Sequence, residues 1–99
     1  MNYAVEHHPN RAMFTLHLER KPPCVPMFSS DRIDAKGLYL KQQLLLIPGV
    51  QEVTAHNYRL TITRGGVFSV GNLLPKVMDV LADVMDIKTP FTAIELYPN

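Results

Sequence analysis

The chain has 99 residues, of which 46% are hydrophobic and 19% charged, and its formal net charge is +1. This length and composition indicate one globular domain, residues 1–99, with a single core. A charge this close to zero gives no reason to expect nucleic acid or an anionic membrane as a partner. The single cysteine, Cys24, excludes an intrachain disulfide and a multi-cysteine metal or cluster site within one chain.

The N-terminal residues MNYAVEHHPN show neither the basic nor the apolar region of a secretory signal. The longest aliphatic run, residues 44–47, is far shorter than the roughly 20 residues that cross a bilayer. We therefore expect a protein of a reducing compartment, cytoplasmic or a processed matrix protein.

The first predicted strand follows a polar start and covers residues 14–18. Its alternating pattern directs three apolar side chains to the core: Phe14, Leu16 and Leu18. Residues 21–26 contain three prolines, which exclude a central strand because proline donates no ladder hydrogen bond. We interpret them as a loop that leads into a short edge strand near Val25–Phe28.

A first helix is predicted after the candidate N-caps Asp31 and Asp34. Its apolar positions recur at spacings of three and four: Ile33, Gly37, Leu40, Leu44 and Ile47. The run of residues 44–46 widens this stripe, so we expect a heavily buried helix. Pro48 disfavours the helical conformation of the residue before it, and Gly49 can adopt a positive φ, so the helix stops here and turns into a strand.

A hairpin is predicted next, with Asn57 in its turn. Its strands direct Val53 and Ala55, and then Leu60 and Ile62, to one side.

A second amphipathic helix follows, with apolar residues recurring from Val70 to Met85. With Asn72 as its N-cap, Pro75 falls in the first turn, where a missing N–H costs nothing. Residues 91–97 form the predicted last strand, with Ile94 and Leu96 facing inward.

The predicted order is ββαββαβ, an α+β two-layer sandwich with both helices on one face of a mainly antiparallel sheet. If the short second strand is left out, the order becomes the ferredoxin-like βαββαβ, which we keep as the alternative.

Candidate ligands and nucleophiles are few. His7, His8 and His17 are weak candidate metal ligands, but their spacing matches no established site, so no metal is predicted. Cys24 has only Pro23 and Val25 as sequence neighbours, and neither would activate its thiol.

The remaining polar features have structural interpretations. Asp79, Asp83 and Asp86 recur at helical spacing and are interpreted as a solvated helix face. Residues 64–72 hold three glycines but match no phosphate-binding motif, and no GxSxG, HExxH or CxxC occurs. We predict that the chain is not an enzyme and binds no cofactor. Catalysis would require His17 or His56 beside a carboxylate that the fold brings close.

Three stretches match phrases of a known family: LKQQLLLIPGV at the end of the first helix, LTITR in a strand and NLLPK at the second helix. The matching positions are Leu40, Gln43, Leu44, Ile47, Gly49, Val50, residues 60–64 and residues 72–76, with Pro9, Asn10 and Phe14 matching loosely near the start. In these stretches the chain resembles the N-terminal domain of Nfu-type (NifU-like) iron–sulfur cluster scaffold proteins. It departs from the family at His7 and His8, which replace a proline and an asparagine, at a shorter hairpin turn, and in the swapped order of Pro75 and Lys76.

In that family a separate C-terminal domain with a CxxC motif holds the cluster, and this chain has no such motif. The resemblance therefore implies an accessory protein-interaction domain associated with iron–sulfur cluster assembly, which binds no cluster itself and contacts assembly components or apo-targets. We expect an exposed apolar strip or the segment Pro9, Asn10 and Arg11 to form the partner surface.

The alternative hypothesis is a small ferredoxin-like regulatory domain that senses a ligand or metal. Its ligand loop would be shaped by Gly65, Gly66 and Gly71, with a contribution from His7 or His8.

Overall fold

A computed structural model describes residues 1–9, 11–25 and 34–95. Within these residues the chain forms one five-stranded sheet and two helices. The strands are β1 (Asn2–His8), β2 (Met13–Leu18), β3 (Val50–His56), β4 (Arg59–Arg64) and β5 (Thr92–Ala93), and the helices are α1 (Ala35–Leu45) and α2 (Val70–Val84). The strand order across the sheet is β3-β4-β2-β1-β5, antiparallel except for the parallel pair of β1 and β5.

The two helices pack on one face of this sheet, which confirms the predicted α+β class and the order ββαββαβ. The inward side chains of β2, Phe14, Leu16 and Leu18, are buried as expected. They share one core with buried residues of the other elements: Leu40 and Leu44 of α1, Val53 of β3, Leu60 and Ile62 of β4, and Leu73, Val77 and Leu81 of α2.

The first strand along the chain, β1, is formed by the N-terminal segment, which we expected to be a polar start without a strand. Its alternation is hidden because Ala4 and the histidines interrupt the contrast between apolar and polar positions. β1 pairs antiparallel with β2, with Tyr3 opposite Leu18 and His8 opposite Met13. Of the edge strand predicted near Val25–Phe28, Val25 is buried but belongs to no strand, and residues 26–28 lie outside the described residues.

The position of β1 distinguishes this sheet from the ferredoxin-like alternative. β1 lies between β2 and β5, and β5 pairs with β1 through Asn2 opposite Thr92 and Tyr3 opposite Ala93. A βαββαβ order has no strand at this position, so the described part of the chain does not follow the ferredoxin-like alternative.

Helix α1 begins at the predicted cap. Asp34 accepts hydrogen bonds from the backbone N–H groups of Lys36 and Gly37, at 3.0 and 3.3 Å. Gly37 lies against the backbone of Cys24. The approach is so close that a Cβ at residue 37 would stand 1.6 Å from the Cys24 carbonyl oxygen. Gly49 has φ +98° and ends this unit as predicted. Asp31 and Ile33 lie outside the described residues.

Helix α2 begins earlier than predicted. Its N-cap is Ser69, whose hydroxyl accepts from the Asn72 backbone N–H at 3.1 Å, and the Asn72 side chain bonds back to Ser69. Asn72 is therefore the third helical residue and not the cap. Pro75 consequently lies beyond the first turn, where its ring removes an intrahelical hydrogen bond.

The last strand is shorter than predicted. β5 contains only two residues, and Ile94, which was expected to face inward, is 51% exposed. The register explains this, since Thr92 lies beside Asn2 and Ile94 falls in phase with Ala4, away from the helices. Leu96 lies outside the described residues. None of the described helices is long and apolar enough to cross a membrane.

Candidate functional site

The open face of the sheet, opposite the two helices, carries an ordered polar cluster. Residues opposite each other in an antiparallel pair share a face, and the register places Glu6 beside Thr15 and Thr15 beside Thr61. The same alternation puts His8 and His17 on this face, because each lies two residues from a member of the cluster.

The Glu6 carboxylate lies between two imidazole rings. His17 Nε2 is 2.7 Å from Glu6 Oε1, and His8 Nε2 is 3.6 Å from Glu6 Oε2. His17 pairs with Ala4, whose small side chain leaves room for the ring to reach Glu6 diagonally. The hydrogen bond from His17 lowers the pKa of Glu6, helped by the charges of His17, His8 and Arg59 and opposed by desolvation.

A buried hydroxyl extends the cluster into the sheet. Thr15 Oγ1 is 2.9 Å from His8 Nε2 and also 2.9 Å from Thr61 Oγ1. Among the described residues Thr15 is a buried polar one, and these two bonds satisfy its hydroxyl. The hydrogen bonds from His8 to Thr15 and from Thr15 to Thr61 therefore link β1, β2 and β4.

The cluster does not form a nucleophile–base–acid relay. Such a relay uses both ring nitrogens of a histidine, one toward the nucleophile and one toward the carboxylate. His8 directs the same Nε2 toward Thr15 and Glu6, and the Thr15 hydroxyl is buried. Catalysis was expected to need a carboxylate close to His17 or His56. A carboxylate does lie beside His17. The exposed His56 bonds only to Asn57, at 3.3 Å, among the contacts described.

A groove of about 470 Å³ borders the cluster. Ala4, Leu18 and Ile94 give it apolar walls, and His17 and Glu95 supply polar groups. His17 is therefore the one side chain of the cluster that also lines this groove.

The three candidate metal ligands do not converge. His7 pairs with Phe14 and so lies on the face of the helices, while His8 and His17 lie on the open face. Among the described residues, no group of three or more histidine, cysteine, aspartate or glutamate side chains is arranged to hold a metal ion.

Cys24 is exposed and lies in a basic cleft, which we define by Arg20, Lys21 and Lys36. The cleft has a volume of about 400 Å³ and also includes Asp34, at the start of α1. The position of Cys24 in this cleft could not be predicted from its neighbours in the sequence, because Cys24 meets Gly37 only when the chain folds back on α1.

The other sequence candidates are separate from each other. Gly65 lies under the Phe68 ring, Gly66 is exposed and Gly71 belongs to the first turn of α2, so these glycines form no common loop. Asp79 and Asp83 are exposed on α2 as interpreted, whereas Asp86, also exposed, follows the end of the helix with φ 53° and is not part of that face. Pro9 and Arg11 are exposed in the turn between β1 and β2, and Asn10 lies outside the described residues.

Helix α1 has an outer stripe of exposed apolar side chains, in contrast to the expected heavy burial. We define it by Leu38, Tyr39, Leu45 and Leu46, which are 39%, 45%, 39% and 73% exposed. Of the run at 44–46, only Leu44 enters the core. The sequence did hold a signal, because Leu38 and Leu45, like Tyr39 and Leu46, are seven residues apart and fall on one side of a helix two turns apart.

Comparison with known proteins identifies the fold. No protein-family model matches the chain, and no curated protein matches it. The crystal structure of protein SAV1430 from Staphylococcus aureus is similar, with a TM-score of 0.59 and 16% identity over 81% of this chain and 98% of that one. The solution structure of the same protein gives a TM-score of 0.53 and 15% identity over 87% and 90%. At these identities the similarity shows a shared fold and nothing about function.

Proposed function

We propose that this domain is a cytoplasmic accessory protein-interaction domain associated with iron–sulfur cluster assembly, which neither catalyses a reaction nor ligates a cluster. The observation that carries the proposal is the outer stripe of α1. Small soluble domains rarely expose several large apolar side chains side by side, and such surfaces commonly mark protein contacts. Leu46 alone is 73% exposed, although it directly follows the helix that supplies Leu40 and Leu44 to the core.

The link to iron–sulfur assembly rests on the resemblance. The family phrases fall at the end of α1, in β4 and in the first turns of α2, so they lie in the same order along one domain. Clusters are usually held by four protein ligands, most often cysteine thiolates. Cys24 is the only cysteine of the chain, which supports a role in contacting other proteins of the process.

A second candidate function is supported by the groove on the open face. His17 lies at its wall and is held by Glu6, and an oriented polar group beside apolar side chains is typical of a small-ligand site. A ligand-sensing regulatory domain would use this groove in place of the glycine loop. A thermal-shift screen with small metabolites would favour it if one compound raised the melting temperature by several degrees and a His17→Ala variant lost that rise.

Affinity isolation tests the first proposal. The tagged chain is incubated with extract of its native host, and bound proteins are identified by mass spectrometry against a tagged domain of similar size and charge. We expect enrichment of cluster-assembly components or apo-targets. The proposal fails if these are not enriched, or if anaerobic reconstitution with iron and sulfide gives a stoichiometric cluster with visible absorbance.

A further inference from the structure

We propose that the outer stripe and the basic cleft together form a docking surface for a short amphipathic helix of a partner protein, whose apolar stripe is bordered by acidic residues. The inference rests on the proposed interaction function and names its surface and the chemistry of its partner. It assigns no role to the open face of the sheet.

The outer stripe forms one uncharged side of α1. At 100° per residue its members fall within about a third of the helix circumference, together with Ala35 and Gln42. The core side of the same helix carries Gly37, Leu40 and Leu44. The stripe runs from residue 38 to residue 46 and is therefore about 12 Å long, which matches a little more than two turns of a second helix packed along it.

The charges that border the outer stripe indicate which residues the partner helix needs beside its apolar positions. Helix α1 contains no acidic residue, and Lys36 borders the stripe on the side of Tyr39. Lys36 also lines the basic cleft with Arg20 and Lys21, while the Asp34 carboxylate there accepts from the helix N–H groups. At the other border Lys41 lies 4.0 Å from Glu52, so positive charge is concentrated toward the N-terminal end of α1.

A second copy of this chain fits the surface poorly. Four large apolar side chains are far fewer than the roughly 20–30 residues a side of a stable protein interface. The exposed acidic residues of the chain's own α2, Asp79 and Asp83, are not accompanied by an apolar stripe, because none of the exposed large apolar side chains in the described chain belongs to α2. A helix of another protein can offer an apolar stripe to the outer stripe and acidic residues to its positively charged border.

Two designed peptides test the surface. Each has about 14 residues, or roughly four helical turns, with leucines at i, i+3, i+4 and i+7, and they differ only in glutamates or lysines on the flanks. Binding to the full chain is measured by fluorescence anisotropy at low and physiological salt, and the contacted residues by amide chemical shifts. We expect the glutamate peptide to shift amides of residues 35–46 and to bind about tenfold more tightly than the lysine peptide at low salt, with a smaller difference at physiological salt.

Variants make the test specific. Leu38→Gln combined with Leu46→Gln should weaken the glutamate peptide about tenfold or more, and Lys36→Glu should reduce the preference for the glutamate peptide. Tyr58→Gln alters a side chain in the β3–β4 turn whose exposure lies between those of Leu38 and Leu46, so it is the matched control and should leave binding unchanged. Thermal melts establish that each variant is folded.

The proposal is overturned if neither peptide binds at millimolar concentration, if both bind equally at low salt, or if the shifts map to the open face. It is also overturned if sedimentation shows a dimer of the chain that Leu46→Gln dissociates, because the occupant is then a second copy. Affinity isolation with the Leu38→Gln/Leu46→Gln variant separates the two proposals. If the variant retains the wild-type partners, this surface is wrong and the interaction function stands, whereas a wild-type chain that enriches no partner contradicts the function itself.

Discussion

Glu6 and His17 are joined across β1 and β2 by a 2.7 Å contact between a carboxylate oxygen and Nε2 of the ring. The two residues are 11 positions apart and belong to diagonal positions of neighbouring strands. With His8 and the Thr15 hydroxyl, they turn part of an uncovered sheet face into a fixed array of polar groups. This array and the outer stripe of α1 lie on opposite sides of the domain, so one can be altered without touching the other.

Glu6 should make stability depend on acid pH. Its pKa in the folded chain is below the ordinary value of 4.5, mainly because of the His17 hydrogen bond. The contribution is therefore fully present above about pH 4.5 and is lost as the pH falls through the lower folded pKa. The side chain is 44% exposed, so the effect is small.

Urea unfolding of wild type and Glu6→Gln, followed from pH 7 down to acid pH, measures this effect. The variant should lose less free energy of unfolding over the acid range than wild type does. Glu95→Gln serves as the control at an exposed carboxylate outside the cluster. Parallel curves for wild type and Glu6→Gln would show that the pair adds no pH-dependent stability.

Gly37→Ala should destabilise the fold strongly. A Cβ at residue 37 would lie 1.6 Å from the Cys24 carbonyl oxygen, and because that atom is backbone, the helix and the loop would have to separate. We expect a loss of roughly 1–3 kcal/mol or more in the free energy of unfolding. Gly66→Ala is the matched substitution, since nothing lies within 4 Å of its Cβ position, and it should be close to neutral. Chemical denaturation compares the two, and equal losses would argue against the contact of Cys24 with α1.

Pro75→Ala should stabilise the chain. Because α2 begins at Val70, Pro75 lies inside the helix, where it removes a hydrogen bond and its ring crowds the carbonyl four residues earlier. The side chain is exposed, so little packing is lost. We expect a gain of about 1 kcal/mol or more in the free energy of unfolding, reduced by the greater freedom of alanine in the unfolded chain. A melting temperature that falls in the variant would instead favour a helix beginning at residue 72 or 73, with Pro75 in its first turn.

Local signals in the sequence predicted the parts of the fold that depend on near neighbours. The alternation of β2, the hairpin turn with Asn57 at φ 54° and the stop at Gly49 were all predicted from a few adjacent residues. β1 was missed because its inward residues, Tyr3 and Val5, alternate with Ala4 and not with a charged residue. The pair of Glu6 and His17 could not be predicted without β1, because it depends on the register between two strands.

The boundary of α2 and the exposure of α1 were misjudged for different reasons. Ser69 and Asn72 are both good caps, and only the reciprocal bonds between them show which residue begins the helix. Consecutive leucines cannot all face one side of a helix, since each residue advances by 100°. The run at 44–46 therefore had to place part of its apolar surface outside the core.

Leucine truncation along this run tests the assignment of core and surface directly. Leu44 is fully buried in the core, so Leu44→Ala should cost about 2–5 kcal/mol of unfolding free energy through lost burial and the cavity left behind. Leu46→Ala removes the same atoms from a side chain that is 73% exposed and should change the free energy by no more than about 0.5 kcal/mol. Urea denaturation of both variants measures the difference. Comparable losses at the two positions would mean that Leu46 is covered within the isolated domain, and the outer stripe would then be too small to receive a partner helix.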